Sequence, residues 1–197
     1  MKKILALMGS SRINKNTDIL LDSMLKGAED KGYEINKIYI SKENISPCKG
    51  CNYCGIKGEC VINDDMAKIY DYLDNSDIFI LAAPLYFNTV NGMTKNLIDR
   101  CQRYWSVKYK LGGDYKRNHD RRGIFLAVGG AEYSHDQFSA TIPTIDLFFK
   151  AINAKYIGNY FVSNTDNISV QERKDIKDEI YEIGYNIDEV ENFYIHR

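Results

Sequence analysis

Four cysteines fall within thirteen residues, Cys48, Cys51, Cys54 and Cys60 in the run PCKGCNYCGIKGEC. The spacing is C-x2-C-x2-C-x5-C. Gly50, Gly55 and Gly58 lie between the thiols, so the backbone can curl tightly and turn several sulfurs toward one object. Iron–sulfur ligation is one chemistry for such a set. In the common bacterial ferredoxin run, however, the fourth cysteine follows after x3 with a Pro beside it, and Cys60 meets neither condition. A structural zinc site usually pairs two C-x2-C knuckles across a longer loop, which three cysteines at successive x2 spacings match poorly. A redox thiol loop with a transient disulfide is a third reading. Small buried side chains in a glycine-rich turn are a fourth. The spacing alone leaves these open.

Three further loops carry polar chemistry. GSSRINKNT, from Gly9 to Thr17, offers the hydroxyls of Ser10, Ser11 and Thr17, the amide of Asn16 and the cation Arg12 where a helix begins. Such a set can hold a phosphate dianion, or it can be an ordinary helix cap. It has neither the G-x-G-x-x-G of a dinucleotide fold nor the G-K-[ST] of a P-loop. APLYFNTVNG, from Ala83, places Pro84, Tyr86, Phe87 and Asn88 at a strand's end, where aromatics and a carboxamide suit a flat heteroaromatic ring. Core aromatics at a strand end are the plainer alternative. Gly129, Gly130, Ala131 and Glu132 let backbone approach a ligand closely, or make a simple turn.

The elements that must position these loops alternate along the chain. Strands are expected at 3–8, 34–40, 78–83, 124–128 and 156–162. Helices are expected at 17–31, from Asp64 or Asp65 through Leu73, at 93–104, 138–152 and 169–192. Five β-α repeats predict a parallel sheet with helices on both faces. Ligands then sit beyond the carboxyl ends of the strands, where the loops above lie.

Composition bounds the rest. The 197 residues, 44% hydrophobic with 3 Pro, suit one domain over 1–197, with a cysteine-rich loop at 47–63. A formal net charge of -1 argues against nucleic acid as a partner. The apolar run of MKKILALM is too short for a secretory h-region, and no stretch reaches membrane-spanning length. The expectation is therefore a cytoplasmic protein with reduced cysteines and no membrane partner.

Taken together, GSSRINKNT, the cysteines running into CVINDDM, the strand IFILAAPLYFNTVNGMTKNLIDR and the later AVGGAEY make the chain resemble the NADPH-dependent FMN reductases of the flavodoxin-like superfamily. More narrowly, it resembles the iron–sulfur flavoproteins of anaerobic archaea and bacteria. The resemblance implies a flavodoxin-like α/β fold with a five-stranded parallel sheet. It implies FMN, with the phosphate at Ser10, Ser11, Arg12, Asn16 and Thr17. The isoalloxazine would lie against Pro84, Leu85, Tyr86, Phe87 and Asn88, and Gly129, Gly130 and Ala131 would close the other side. It also implies a 4Fe–4S cluster on Cys48, Cys51, Cys54 and Cys60.

The expected function is an oxidoreductase passing electrons from a reduced donor such as NAD(P)H through FMN and the cluster to a redox partner protein or a small-molecule acceptor. A cluster-free NAD(P)H-dependent FMN or quinone reductase is the alternative. A non-enzymatic flavodoxin-type electron carrier is the second. No side chain is assigned a catalytic role; His119, His135 and His196 lie outside the motif loops, and Cys101 is expected to pack. Reductases of this type build their sites at subunit contacts, so a homodimer or homotetramer is expected. Trp105 and Tyr109, in the aromatic and basic segment 105–122, are its candidate anchors.

Overall fold

The computed structural model describes residues 1–116 and 118–197; Arg117, within the expected contact segment, lies outside them. Strand β1 (Lys3–Met8) leads into helix α1 (Asn16–Lys31) and strand β2 (Glu34–Tyr39). A short helix α2 (Cys54–Lys57) interrupts the cysteine loop before α3 (Met66–Asn75) and β3 (Ile78–Tyr86). Then follow β4 (Thr89–Val90), α4 (Gly92–Arg100), α5 (Gln102–Tyr109) and β5 (Arg122–Val128). The chain closes with α6 (Ile142–Ala151), β6 (Lys155–Val162), α7 (Lys174–Tyr185) and β7 (Phe193–His196).

The main sheet runs β2-β1-β3-β5-β6-β7, and every neighbouring pair in it is parallel. The expected five strands are thus six, with β4 added antiparallel beside the end of β3. Each central strand is apolar throughout because both its faces are covered. Leu5, Leu7, Phe79, Leu81 and Phe125 face α3, α4 and α6, whereas Ile4, Ala6, Ile78, Ile80 and Ile124 face α1 and α7. Each large side chain so buried is worth roughly 1.5–3 kcal/mol. Helices α1 and α7 touch backbone to backbone, since a Cβ on Gly184 would collide with Met24 O.

Two helices differ from expectation. The stretch 93–104 is broken at Cys101 into α4 and α5. The charged tail is α-helical only over α7, preceded by a 3-10 turn (Val170–Glu172) that opens on a Ser169/Glu172 capping box and followed by β7. No helix among the described residues is long and apolar enough to cross a membrane.

Candidate functional site

The chain leaves β1 for β2 on one side and reaches β3 on the other, so the strand order reverses between β1 and β3. Loops leaving the carboxyl ends of two such strands diverge and open a crevice. The first loop is pinned at its root: Gly9 N–H donates to Ala82 O at 2.7 Å, and Gly9 O accepts from Asn91 Nδ2 at 2.6 Å. Asn91 also caps α4 by accepting from Thr94 N–H. A Cβ on Gly9 would collide with Thr94 Oγ1 and lie 2.9 Å from Ala82 O, so only glycine fits there.

A cavity of about 260 Å³ opens beyond this root, lined by Ser10, Arg12, Lys15, Asn16 and Thr17 from the first loop and α1. Helix α1 has no side-chain cap, which leaves its first amide groups available to an anion. Arg12 and Lys15 have no acidic ion-pair partner among the described residues. The one carboxylate in the first turn, Asp18, is fully buried and neutralised by Lys37 at 2.6 Å, while its other oxygen accepts from Asn14 N–H at 2.7 Å. Burial works against the Lys37 charge, but hydrogen bonds to Asp18 and Asp22 outweigh it and raise the pKa. The end of the cavity at the start of α1 is therefore cationic, with Asp166 lining the cavity as well.

The opposite wall is Pro84, Leu85 and Tyr86. Leu85 and Tyr86 pair with Val90 and Thr89 to make a two-residue hairpin, whose tip, Phe87 and Asn88, has φ 50 and φ 58. Two left-handed residues match the twist of a tight hairpin. They also carry the Phe87 ring into solvent, so Phe87 and Asn88 do not line the cavity. Ser11 is exposed beside it and Gly129 buried behind it, whereas Gly130 and Ala131 line it.

Lys15, Val128, Thr165 and Asp166 complete the lining without having been expected. Thr165 and Asp166 arrive because the loop after β6 bonds backbone to backbone with 129–131, through Asp166 N to Gly130 O at 3.0 Å and Asn164 N to Ala131 O at 2.7 Å. Asn16 ties the same loop to α1, donating to Thr165 O at 3.3 Å and accepting from Val170 N–H at 3.0 Å. Its amide is thereby committed to the protein. Lys15 alone was legible, as a cation between Arg12 and Thr17.

The four loop cysteines are free thiols around a second cavity of about 240 Å³. Cys48 and Cys51 are exposed and Cys54 and Cys60 half-buried. Gly50 and Gly58 turn the loop at φ 63 and φ 76, and Cys54 Sγ lies 3.5 Å from Ser106 Oγ of α5. Among the described residues no three His, Cys, Asp or Glu side chains converge as the ligands of a single ion would. The stems of the loop are closed by Arg100, which bonds Asp64 at 2.7 Å and is almost fully buried with it. Burial alone would raise the Asp64 pKa; the Arg100 guanidinium and the N–H groups of Ser46 and Met66 outweigh it and hold the carboxyl below the usual carboxylate range.

Cys101 is buried, which pushes its thiol pKa up and suits packing. His119 and His135 are exposed, and His196 packs on Tyr133 with the ring planes tilted by 50° and bonds Ser163 Oγ at 3.1 Å. None of the three lines either cavity. Trp105 packs on Tyr109 with centroids 4.2 Å apart and lines an apolar groove of about 320 Å³ with Ile98, Leu147 and Phe148.

Known proteins resemble the chain in sequence and in fold. An iron-sulfur flavoprotein of Archaeoglobus fulgidus is 40% identical over 114 residues, which cover 56% of this chain and 52% of that one. An iron-sulfur flavoprotein of Methanosarcina thermophila is 33% identical over 125 residues, covering 61% and 65%. The chain thus spans about half to two thirds of these relatives. Among solved structures, an FMN-dependent NADH-azoreductase from Bacillus anthracis in complex with FMN superposes with TM-score 0.71 at 13% identity, over 95% of this chain and 99% of that one. An NAD(P)H:quinone oxidoreductase from Methanothermobacter marburgensis gives 0.67 at 12% identity, over 94% of each. These two likenesses establish the flavodoxin-like fold. The model of one family, NADPH-dependent FMN reductase, matches residues 2–167, and the chain belongs to that family.

Proposed function

We propose that the chain is an FMN-dependent oxidoreductase that takes electrons from NAD(P)H and passes them through a 4Fe–4S cluster on Cys48, Cys51, Cys54 and Cys60 to a redox protein or a small acceptor. The observation that carries the flavin reading is the cavity at the sheet's reversal, cationic at the uncapped start of α1 and apolar along Pro84–Tyr86. That polarity fits a terminal phosphate at one end and a flat ring at the other. FMN, when bound, supplies the conversion of a two-electron hydride donor to single-electron transfer.

The chain's own residues bind and orient it. Ser10 and Thr17 hydroxyls with the Arg12 and Lys15 cations take the phosphate, and the hairpin stem shields one face of the ring. Thr165 and Asp166 close the far side. The cysteine cavity fits a cluster by its donor set: four thiols spaced round one cavity match one thiolate per iron, and Lys49 and Arg103 also line it. The 197 residues act as one FMN-binding unit with a redox loop at 47–63. Because no three His, Cys, Asp or Glu side chains among the described residues converge as the ligands of one ion would, a cluster-free NAD(P)H-dependent FMN or quinone reductase is the second reading.

Fluorescence titration with FMN tests the cleft. Arg12→Ala and Thr17→Ala each remove a charge-assisted contact of about 1.5–3 kcal/mol, so affinity should drop by roughly tenfold or more. Unchanged affinity in both variants overturns the assignment. Iron and sulfide analysis after anaerobic reconstitution decides between the two readings.

A further inference from the structure

The inner wall of the cysteine cavity is built by α4 and α5. The Arg100 guanidinium reaches both stems of the loop, donating to Ser46 O at 2.9 Å, to Ile62 O at 3.2 Å and to the two Asp64 oxygens at 2.7 and 3.1 Å. One side chain thus ties the segment just before Cys48 to the segment just after Cys60. Asp64 reinforces the tie by accepting from Ser46 N–H at 2.9 Å.

Arg100 is 2% exposed and lines the cavity, yet its Nε–H has no acceptor among the described residues. Arg103, three residues on, repeats the pattern: it lines the same cavity and its buried Nε–H has no acceptor either. Its guanidinium is held by the Tyr70 and Tyr104 rings, 4.5 and 5.2 Å from their centroids, and it forms no ion pair with a described acidic residue. A buried charged donor without an acceptor is costly. Both arginines line the cavity that the four thiols also line, and an anionic sulfur acceptor there would satisfy both donors.

We propose that Arg100 and Arg103 donate their Nε–H groups to sulfurs of the cluster, and so raise its reduction potential and keep it in its loop. The inference rests on the cluster reading above. A cluster on four thiolates is anionic and gains one further negative charge when it takes up one electron, with no bond made or broken. Neighbouring cations and N–H···S bonds therefore favour the reduced form. Arg100 and Arg103 would act on the cluster itself; neither lines the FMN cavity.

The test uses full-length wild type, Arg103→Gln, Arg103→Lys and Arg100→Lys, reconstituted anaerobically with ferrous iron and sulfide. Potentiometric titration followed by electron paramagnetic resonance reads the cluster potential, and transfer of iron to a chelator reads its retention. FMN content and the melting of the metal-free protein are controls. Arg103→Gln should lower the potential by about 59 mV, a tenfold shift of a one-electron equilibrium, with FMN content unchanged. Arg103→Lys, which keeps the charge but not the planar fork, should fall between.

Arg100→Lys cannot span Ser46, Ile62 and Asp64 with one ammonium, and should release iron about 10–100-fold faster. If it does not fold, the Arg103 variants decide. Variants that load and show wild-type potential and iron release overturn the inference while leaving the cluster reading standing. A wild type that takes up no iron and sulfide overturns both.

Discussion

Gly9→Ala should damage the flavin cleft from beneath, without touching any residue that meets the ligand. The new Cβ would collide with Thr94 Oγ1 and stand 2.9 Å from Ala82 O. Neither neighbour can yield freely. Ala82 lies inside β3 and its carbonyl holds the Gly9 N–H, while Thr94 is fully buried. Forcing one methyl into such packing costs about 1–3 kcal/mol. Loosening the Asn91 Nδ2–Gly9 O bond, 2.6 Å and buried, adds about 1 kcal/mol. The urea midpoint of the metal- and flavin-free protein should therefore fall by the equivalent of about 2–4 kcal/mol. FMN affinity should fall with it, since Ser10 and Arg12 hang from this root.

The cause can be isolated. Thr94→Ala removes the colliding oxygen, so Gly9→Ala/Thr94→Ala should lose less than the sum of the single changes, by about 1–2 kcal/mol of coupling. An unchanged midpoint in Gly9→Ala, or strict additivity in the cycle, refutes the reasoning.

Three further outcomes follow from the same geometry. Because Asp64 titrates below its unfolded value, its contribution to stability is complete above about pH 4 and is lost as pH falls through its folded pKa. Asp64→Asn, which strands buried Arg100, should cost about 3–5 kcal/mol at pH 7, and urea midpoints of the two proteins should converge on acidification; parallel curves would contradict this. Asn16→Asp keeps the acceptor for Val170 N–H but sets a negative charge at the phosphate end, so it should retain more stability than Asn16→Ala while binding FMN more weakly, as thermal melts and titration will read. Trp105→Glu should convert an oligomer to monomer by light scattering, and a wild type already monomeric at micromolar concentration with flavin bound would refute the contact.

The strands were legible where two covered faces demanded unbroken apolar runs, as in IFILAA at 78–83. The sixth parallel strand was not. β7 is four residues long and follows a charged helix, and it is docked by a complementarity no local pattern reveals: Gly158 of β6 leaves open the space that the Phe193 ring fills. The β3–β4 hairpin escaped for a related reason. Its turn uses Phe87 and Asn88 in the left-handed region, where the sequence rule looks for Asn-Gly or Asp-Gly. Cys101 breaks a helical period that continues on both sides of it, so α4 and α5 read as one helix.

Residues of the cleft were legible where one loop carries them all, and hidden where tertiary contact delivers them. Thr165 and Asp166 reach the cavity through backbone bonds to 129–131, which leave no side-chain signature. Arg100 is the sharper case, an arginine in a helical run to which no role was assigned and which is buried at the cysteine loop. Its position gives α4 a meaning the motifs lack. The N-cap of this nine-residue helix holds the root of the first loop through Asn91, and its last residue holds both stems of the cysteine loop. At 1.5 Å per residue the two anchor points are about 14 Å apart on one rigid rod. The roots of the two loops are thus held at a separation set by helix length.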